Sequence, residues 1–138
     1  MAAAGAPPCI FCEIVARRSP AYIFYEDATA LGFLDIFPFT RGHVLLVPKR
    51  HVDRLIELPE ADQGPFLRAL ATVCRRVERL SSHYNVALNQ GALAGQIVFH
   101  LHFHIIPRYD EGNPFGVRSR ERLRDDAAAS VVAALAPP

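Results

Sequence analysis

Residues 95–108 read GQIVFHLHFHIIPR, with His100, His102 and His104 at every second position and Leu101, Phe103 and Ile105 between them. Such alternation in a run of Val, Phe and Ile is the pattern of a β-strand. Side chains on a strand alternate between faces, so the three imidazoles share one face at intervals of about 6.6 Å, two residues at about 3.3 Å each. Leu101, Phe103 and Ile105 then face a core. One histidine on such a face would be an ordinary polar residue; three in alternation, near Asn89, Gly95 and Gln96, ask for a chemical reason. Imidazole can ligate a metal, carry a proton or act as a nucleophile, and as a nucleophile it needs one ring nitrogen aimed at the substrate and the other held by a hydrogen bond. Neighbours on the strand stand too far apart to orient one another. The hold must come from a backbone carbonyl or another side chain, and His43 is a candidate.

The rest of the chain supplies partners for this strand. CIFCEIVARR, starting at Cys9, reads as a short helix stopped by Ser19 and Pro20. AYIFYED and TALGFLDI read as two strands around a turn near Asp27 and Ala28, and HVLLVPK as a third that ends at Pro48. From Pro59 to about Ser82, Phe66, Leu70, Val73, Val77 and Leu80 fall at spacings of three and four, which predicts an amphipathic helix with Pro59 in its first turn. NVALNQ and VFHLHFHIIP add two strands around the GALAG loop, and a last helix is predicted over about residues 119–135. The fold class is therefore α+β: one antiparallel sheet of about five strands, one long helix and short terminal helices. Residues 1–8 are expected to be disordered, and 9–138 to form a single domain, with a core region over 9–108 and a tail with its helix over 109–138.

Composition narrows the function classes. A 138-residue chain is one domain's worth, enough to bury roughly 68% of the unfolded chain's surface. Fifteen basic and 14 acidic residues leave no field to steer the chain to nucleic acid or an anionic membrane, so neither is expected as a partner. No apolar run approaches the roughly 20 residues of a membrane span, and MAAAGAPP lacks a basic start and an apolar signal segment, which points to the cytoplasm. With three cysteines, a secreted disulfide scaffold is disfavoured. Cys74 reads as a small buried hydrophobe, and His83 as a solvated surface residue. Cys9 and Cys12 form a C-x-x-C pair with no strand before it, unlike the redox pairs that open a helix within a βαβ unit. Two thiolates two residues apart supply half of a tetrahedral zinc site, with two further ligands to come from elsewhere.

HLHFHII, with FLDIFPFTRGHVLLVPKRHV and LNQGALAGQIVFHLHFH around it, resembles the histidine triad (HIT) nucleotide hydrolases and transferases over residues 9–108, about three quarters of the chain. The resemblance implies that His102 attacks the α-phosphorus of a purine nucleotide derivative and forms a nucleotidyl-histidine that water hydrolyses. His104, Asn89, the Gly95 amide and Gln96 would lie near the phosphate, with Ile97 beside them. Asp35 would accept from both ribose hydroxyls, and Ile10, Phe11, Ile14, Leu34 and Ile36 would sandwich the base. By the same resemblance to bacterial members, His51 and His100 would join Cys9 and Cys12 around a structural zinc, and two sheets would join across a dyad into a homodimer.

The same resemblance implies AMP or GMP as product. No Walker-type loop and no magnesium-binding carboxylate pair occurs, so neither an organic cofactor nor a catalytic metal is expected. The phosphoramidase branch commonly carries serine after G-Q, where this chain has Ile97, so a leaving-group hydroxyl is missing. The dinucleoside polyphosphate hydrolase branch shares A-G-Q and I-I-P-R but lacks the cysteine pair. Phosphoramidate hydrolysis leads, and polyphosphate hydrolysis is its runner-up. A nucleotide-binding protein without turnover is the competing class; a catalytic metal on the three histidines is weaker, since His100 would then be lost to the cysteine pair.

Overall fold

β3 (Val44–Pro48) is buried along its whole length, and the sheet is built outward from it. In the computed structural model, which describes residues 8–110 and 121–138, the strand order is β1-β2-β3-β5-β4, with every neighbouring pair antiparallel. The strands are β1 (Ile23–Glu26), β2 (Ala30–Leu34), β3, β4 (Tyr84–Leu88) and β5 (Phe103–Pro107). The helices are α1 (Ile10–Val15), α2 (Glu60–Val77) and α3 (Asp125–Ala134). The β1–β2 turn is closed by Asp27, whose Oδ1 accepts from the backbone N–H of Thr29 (2.7 Å) and Ala30 (2.8 Å).

Both faces of the sheet are covered. Phe66, Ala69, Val73 and Val77 of α2, with Ala128 and Val131 of α3, pack on Ala30, Leu34, Val44, Leu46 and Ile105. On the other face Phe11 and Ile14 of α1 pack on Leu31, Phe33, Leu45 and Val47. Two-sided burial explains why ALGFL and VLLVP read as continuous apolar runs. In β5, Leu45 stands opposite His104 and Leu46 opposite Phe103, so the pleat sends His104 to the α1 face and Phe103 and Ile105 to the α2 face.

The structure corrects three expectations. β5 begins at Phe103, so His100 and His102 precede the strand, although both still meet Phe11 on the α1 face. The Leu101 N–H donates to the Val52 carbonyl (2.7 Å) and so stays outside the β5 ladder. α2 stops at Val77, where the N–H groups of Leu80 and Ser81 close a final turn on the Val77 carbonyl; His83 therefore lies beyond the helix, exposed before β4. The last helix starts at Asp125, because Arg124 at its N-cap is extended and the Leu123 N–H donates to the Ile36 carbonyl (2.7 Å). The expected frayed start lies, but for Pro8, outside the described residues, as do the first two positions of the helix expected from 119.

Gly42 opens the approach to β3 at φ +88°, where a Cβ would stand inside contact distance of Leu80 Cδ1 and 3.2 Å from Pro107 Cγ. Gly42→Ala combines left-handed strain with overpacking and should cost about 2–4 kcal/mol, read as a lower urea midpoint at unchanged m-value.

Candidate functional site

A cavity of about 480 Å³ opens on the α1 face of the sheet, within the range of small-molecule sites. One wall is apolar: Ile10, Phe11 and Ile14 from α1, Leu34 and Ile36 from the end of β2 and beyond it. Phe11 meets Phe33 edge-on at 5.4 Å and His102 at 5.0 Å, so the helix that carries the cysteine pair also carries the aromatic wall. The other wall is polar, with Asp35, Asn89, Gly95, His102 and His104, and Ile97 stands at the rim, 84% exposed. Among the described lining residues there is no lysine or arginine.

His102 is buried, and its Nδ1 lies 2.7 Å from the His100 carbonyl. A carbonyl can only accept, so Nδ1 carries the proton and Nε2 carries the lone pair. Burial lowers the ring's pKa, which keeps it neutral and nucleophilic at neutral pH. The hold on His102 is thus main chain.

His43 orients His104 instead. The Phe39 N–H donates to His43 Nδ1 (3.1 Å), which leaves the proton of the neutral ring on Nε2. That nitrogen lies 3.0 Å from His104 Nδ1 and 3.5 Å from Asp35 Oδ2. Donation to His104 Nδ1 makes Nε2 the protonated nitrogen of His104, so the two cavity histidines are opposite tautomers: Nε2 accepts on His102 and donates on His104. Asp35 is itself fixed by the Phe37 N–H at 2.8 Å. The stacking of Phe39 on His43 (5.5 Å) belongs to the same arrangement.

Two expected phosphate-side groups are engaged within their own loop. The Gly95 N–H donates to the Ala92 carbonyl (3.0 Å), in a turn that needs Gly95 at φ +92°. Gln96 is buried and does not line the cavity. Its Oε1 accepts from the Gly91 N–H (2.8 Å) and its Nε2 donates to the Val98 carbonyl (3.1 Å). Gln96 shapes the loop that presents Gly95 and Ile97.

Cys9, Cys12, His51 and His100 come together behind the Phe11 wall, their ligand atoms all within 4.8 Å of one another. Cys12 Sγ lies 3.2 Å from His51 Nδ1 and 3.6 Å from His100 Nδ1; Cys9 Sγ lies 3.5 Å from His100 Nδ1. Each ring has an acceptor at its other nitrogen, Asp53 Oδ1 for His51 (3.2 Å) and the Pro48 carbonyl for His100 (2.8 Å). Burial drives the His100 pKa down to about 4, so it is a neutral ligand, while burial and the neighbouring Cys9 push the Cys12 thiol up to about 11. Two sulfurs and two Nδ1 atoms with both Nε2–H groups held outward fit a closed tetrahedral metal site of the zinc type, whose cation would favour the thiolates. Cys74 lies apart, half-buried against the α2 core.

The structure therefore separates the three histidines: the His100 ring belongs to the cysteine cluster, while His102 and His104 line the cavity with ring centroids 5.0 Å apart. Sequence reasoning missed the acceptors Pro48 and Asp53 and the role of Phe39. Among the described residues no helix is long and apolar enough to cross a membrane.

Comparison with known proteins agrees with this geometry. The HIT domain profile matches residues 16–111. An uncharacterised HIT-like protein of Methanocaldococcus jannaschii is 44% identical over 74% of this chain and 80% of its own length. An adenosine 5'-monophosphoramidase of Candida albicans is 38% identical over 79% of this chain and 76% of its own. The crystal structure of a Zn-bound histidine triad family protein from Mycobacterium smegmatis superposes with a TM-score of 0.73 at 37% identity, covering 92% of each chain. With the triad, the pocket and the five-stranded antiparallel sheet all in place, the chain belongs to the HIT family.

Proposed function

We propose that this protein hydrolyses purine nucleotide derivatives at the α-phosphorus through a nucleotidyl-histidine on His102, with phosphoramidates as the favoured substrates. The observation that carries the reading is the 2.7 Å contact from His102 Nδ1 to the His100 carbonyl, which leaves Nε2 as the nucleophilic nitrogen of a buried neutral ring. Nε2 forms a bond to phosphorus as the phosphorus–nitrogen bond of the substrate breaks, the departing amine takes its proton from solvent water, and Nε2–H of His104 donates a hydrogen bond to a phosphate oxygen. Water then attacks phosphorus as the phosphorus–His102 bond breaks, gives its proton back to solvent, and AMP or GMP leaves with His102 restored. Asp35 accepts from the ribose, Asn89 donates to the phosphate, and the α1 wall covers the base.

The absence of lysine and arginine among the described lining residues favours a leaving group without several negative charges, which supports the phosphoramidate over the dinucleoside polyphosphate. The Candida albicans relative, named as a phosphoramidase, supports the same choice. Ile97, 84% exposed where a hydroxyl would assist the leaving group, is the feature that favours nucleotide binding without turnover. The cysteine–histidine cluster is read as a structural zinc site, supported by its donor set and by the Zn-bound relative. It would fasten α1, and with it Phe11 and Ile14, to the catalytic segment. In this reading the single HIT domain spans residues 9–138 and pairs with a second copy through the sheet edge at β4, which the 45% exposure of Val86 supports.

His102→Ala should abolish turnover of an adenosine phosphoramidate while AMP binding persists, and Asp35→Ala should weaken AMP binding by about 1.5–3 kcal/mol. Near-normal rates in His102→Ala would remove the mechanism, whereas tight AMP binding with no wild-type product would establish the binding-only reading. Native mass spectrometry should show twice the 15.3 kDa chain mass with one zinc per chain; a metal-free monomer would remove both the zinc and the dimer. In metal-stripped protein the unfolded chain protonates His100 near pH 6.5 and the folded chain only near pH 4, so stability is full above about 6.5 and falls as pH drops toward 4. The loss should be about 3 kcal/mol by urea denaturation, with His102 acting in the same direction.

A further inference from the structure

His51, Val52 and Asp53 run between the cysteine–histidine cluster and the loop beside His102, and they contact both. On the cluster side, His51 Nδ1 faces Cys12 Sγ at 3.2 Å and its Nε2 lies 3.2 Å from Asp53 Oδ1. On the loop side, the Asp53 carbonyl accepts from Gln90 Nε2 and Gln96 Nε2, both at 3.4 Å. The Leu55 N–H adds a bond to Gln90 Oε1 (2.7 Å), and the Leu101 N–H binds the Val52 carbonyl (2.7 Å). Gln96 in turn holds the Gly91 N–H, so the turn presenting Gly95 and Ile97 rests on this segment.

We propose that Asp53 is a positioning residue that couples the metal cluster to the loop beside the nucleophile: its carboxylate fixes the His51 ring for the metal, and its carbonyl carries Gln90 and Gln96. The inference rests on the reading of the cluster as a zinc site. As a bare ion pair between half-exposed side chains the Asp53–His51 contact would be worth little. Its position gives it more. With Nδ1 turned to the thiols, the neutral His51 ring must carry its proton on Nε2, and Asp53 is the acceptor there, as the Pro48 carbonyl is for His100. His51 is exposed, so packing does not replace that hold. A metal that immobilises His51 therefore immobilises the backbone at Asp53, and with it the seat of both glutamines.

The experiment measures zinc affinity by competition with a chromogenic chelator, and amide hydrogen exchange at Leu55, Gly91 and Gln96, on the full chain. Asp53→Ala should weaken zinc binding about 10–100-fold, while Asp53→Asn, whose amide oxygen still accepts from Nε2–H, should stay within about threefold of wild type. Stripping zinc from the wild type should speed exchange at those three amides about tenfold, with the amides of α2 unchanged. Wild-type affinity in Asp53→Ala, equal losses in both variants, or exchange at the three amides indifferent to zinc would each overturn the coupling. A wild type that takes up no zinc would instead overturn the reading of the cluster itself, and the coupling with it.

Discussion

Everything at the site depends on how residue 100 is held. Its ring is fully buried, with Nε2 on the Pro48 carbonyl and Nδ1 toward two sulfurs, and its own carbonyl receives Nδ1 of His102. One residue thus joins a metal-type cluster, the end of the central strand and the orientation of the His102 ring. Burial without charge makes this possible: a protonated ring at this depth would lack a compensating partner, and the low pKa of His100 expresses that cost.

The cavity obtains opposite chemistry from two chemically identical side chains. His102 is fixed by a carbonyl, a pure acceptor, and His104 by a second imidazole whose own tautomer is dictated by the Phe39 N–H. Neither assignment requires a charged group in direct contact with the ring, so the pocket keeps a low charge apart from Asp35. Its electrostatics come from oriented dipoles of fixed rings and main chain set against an apolar wall.

Much of this was legible in the sequence because it lies in local patterns. The apolar runs of β2 and β3, the three-and-four spacing of α2, and the motifs around the triad were read at nearly the right places, as were the four cluster residues. The start of β5 was not, since His-Leu-His-Phe-His alternates perfectly and only the bond from Leu101 to Val52, 49 positions earlier, shows that the first two histidines leave the sheet. The loop contacts of Gln96 and the place of Asp53 were missed for a related reason. Their work is done through carbonyl and amide contacts set by chain path, and side-chain identity in a one-dimensional pattern carries no trace of that. His43 was suspected as an orienting group, but that it serves His104 and not His102 follows from the pleat of β5 against β3.

The spacing of the cluster also has a consequence for the order in which the molecule can be made. Cys9 and His100 are 91 positions apart, so α1 meets its closing partner only after nearly the whole sheet has been synthesised. During translation the β1–β2–β3 meander, built from contacts closer in sequence, can already give α1 its packing surface at Leu31, Phe33, Leu45 and Val47, while the two thiols wait for His100. The wall is therefore supported from one side first, and its second tie is made only when the cysteines meet His100. Because His102 follows two residues later, the arrival that completes the cluster also delivers the first histidine of the cavity.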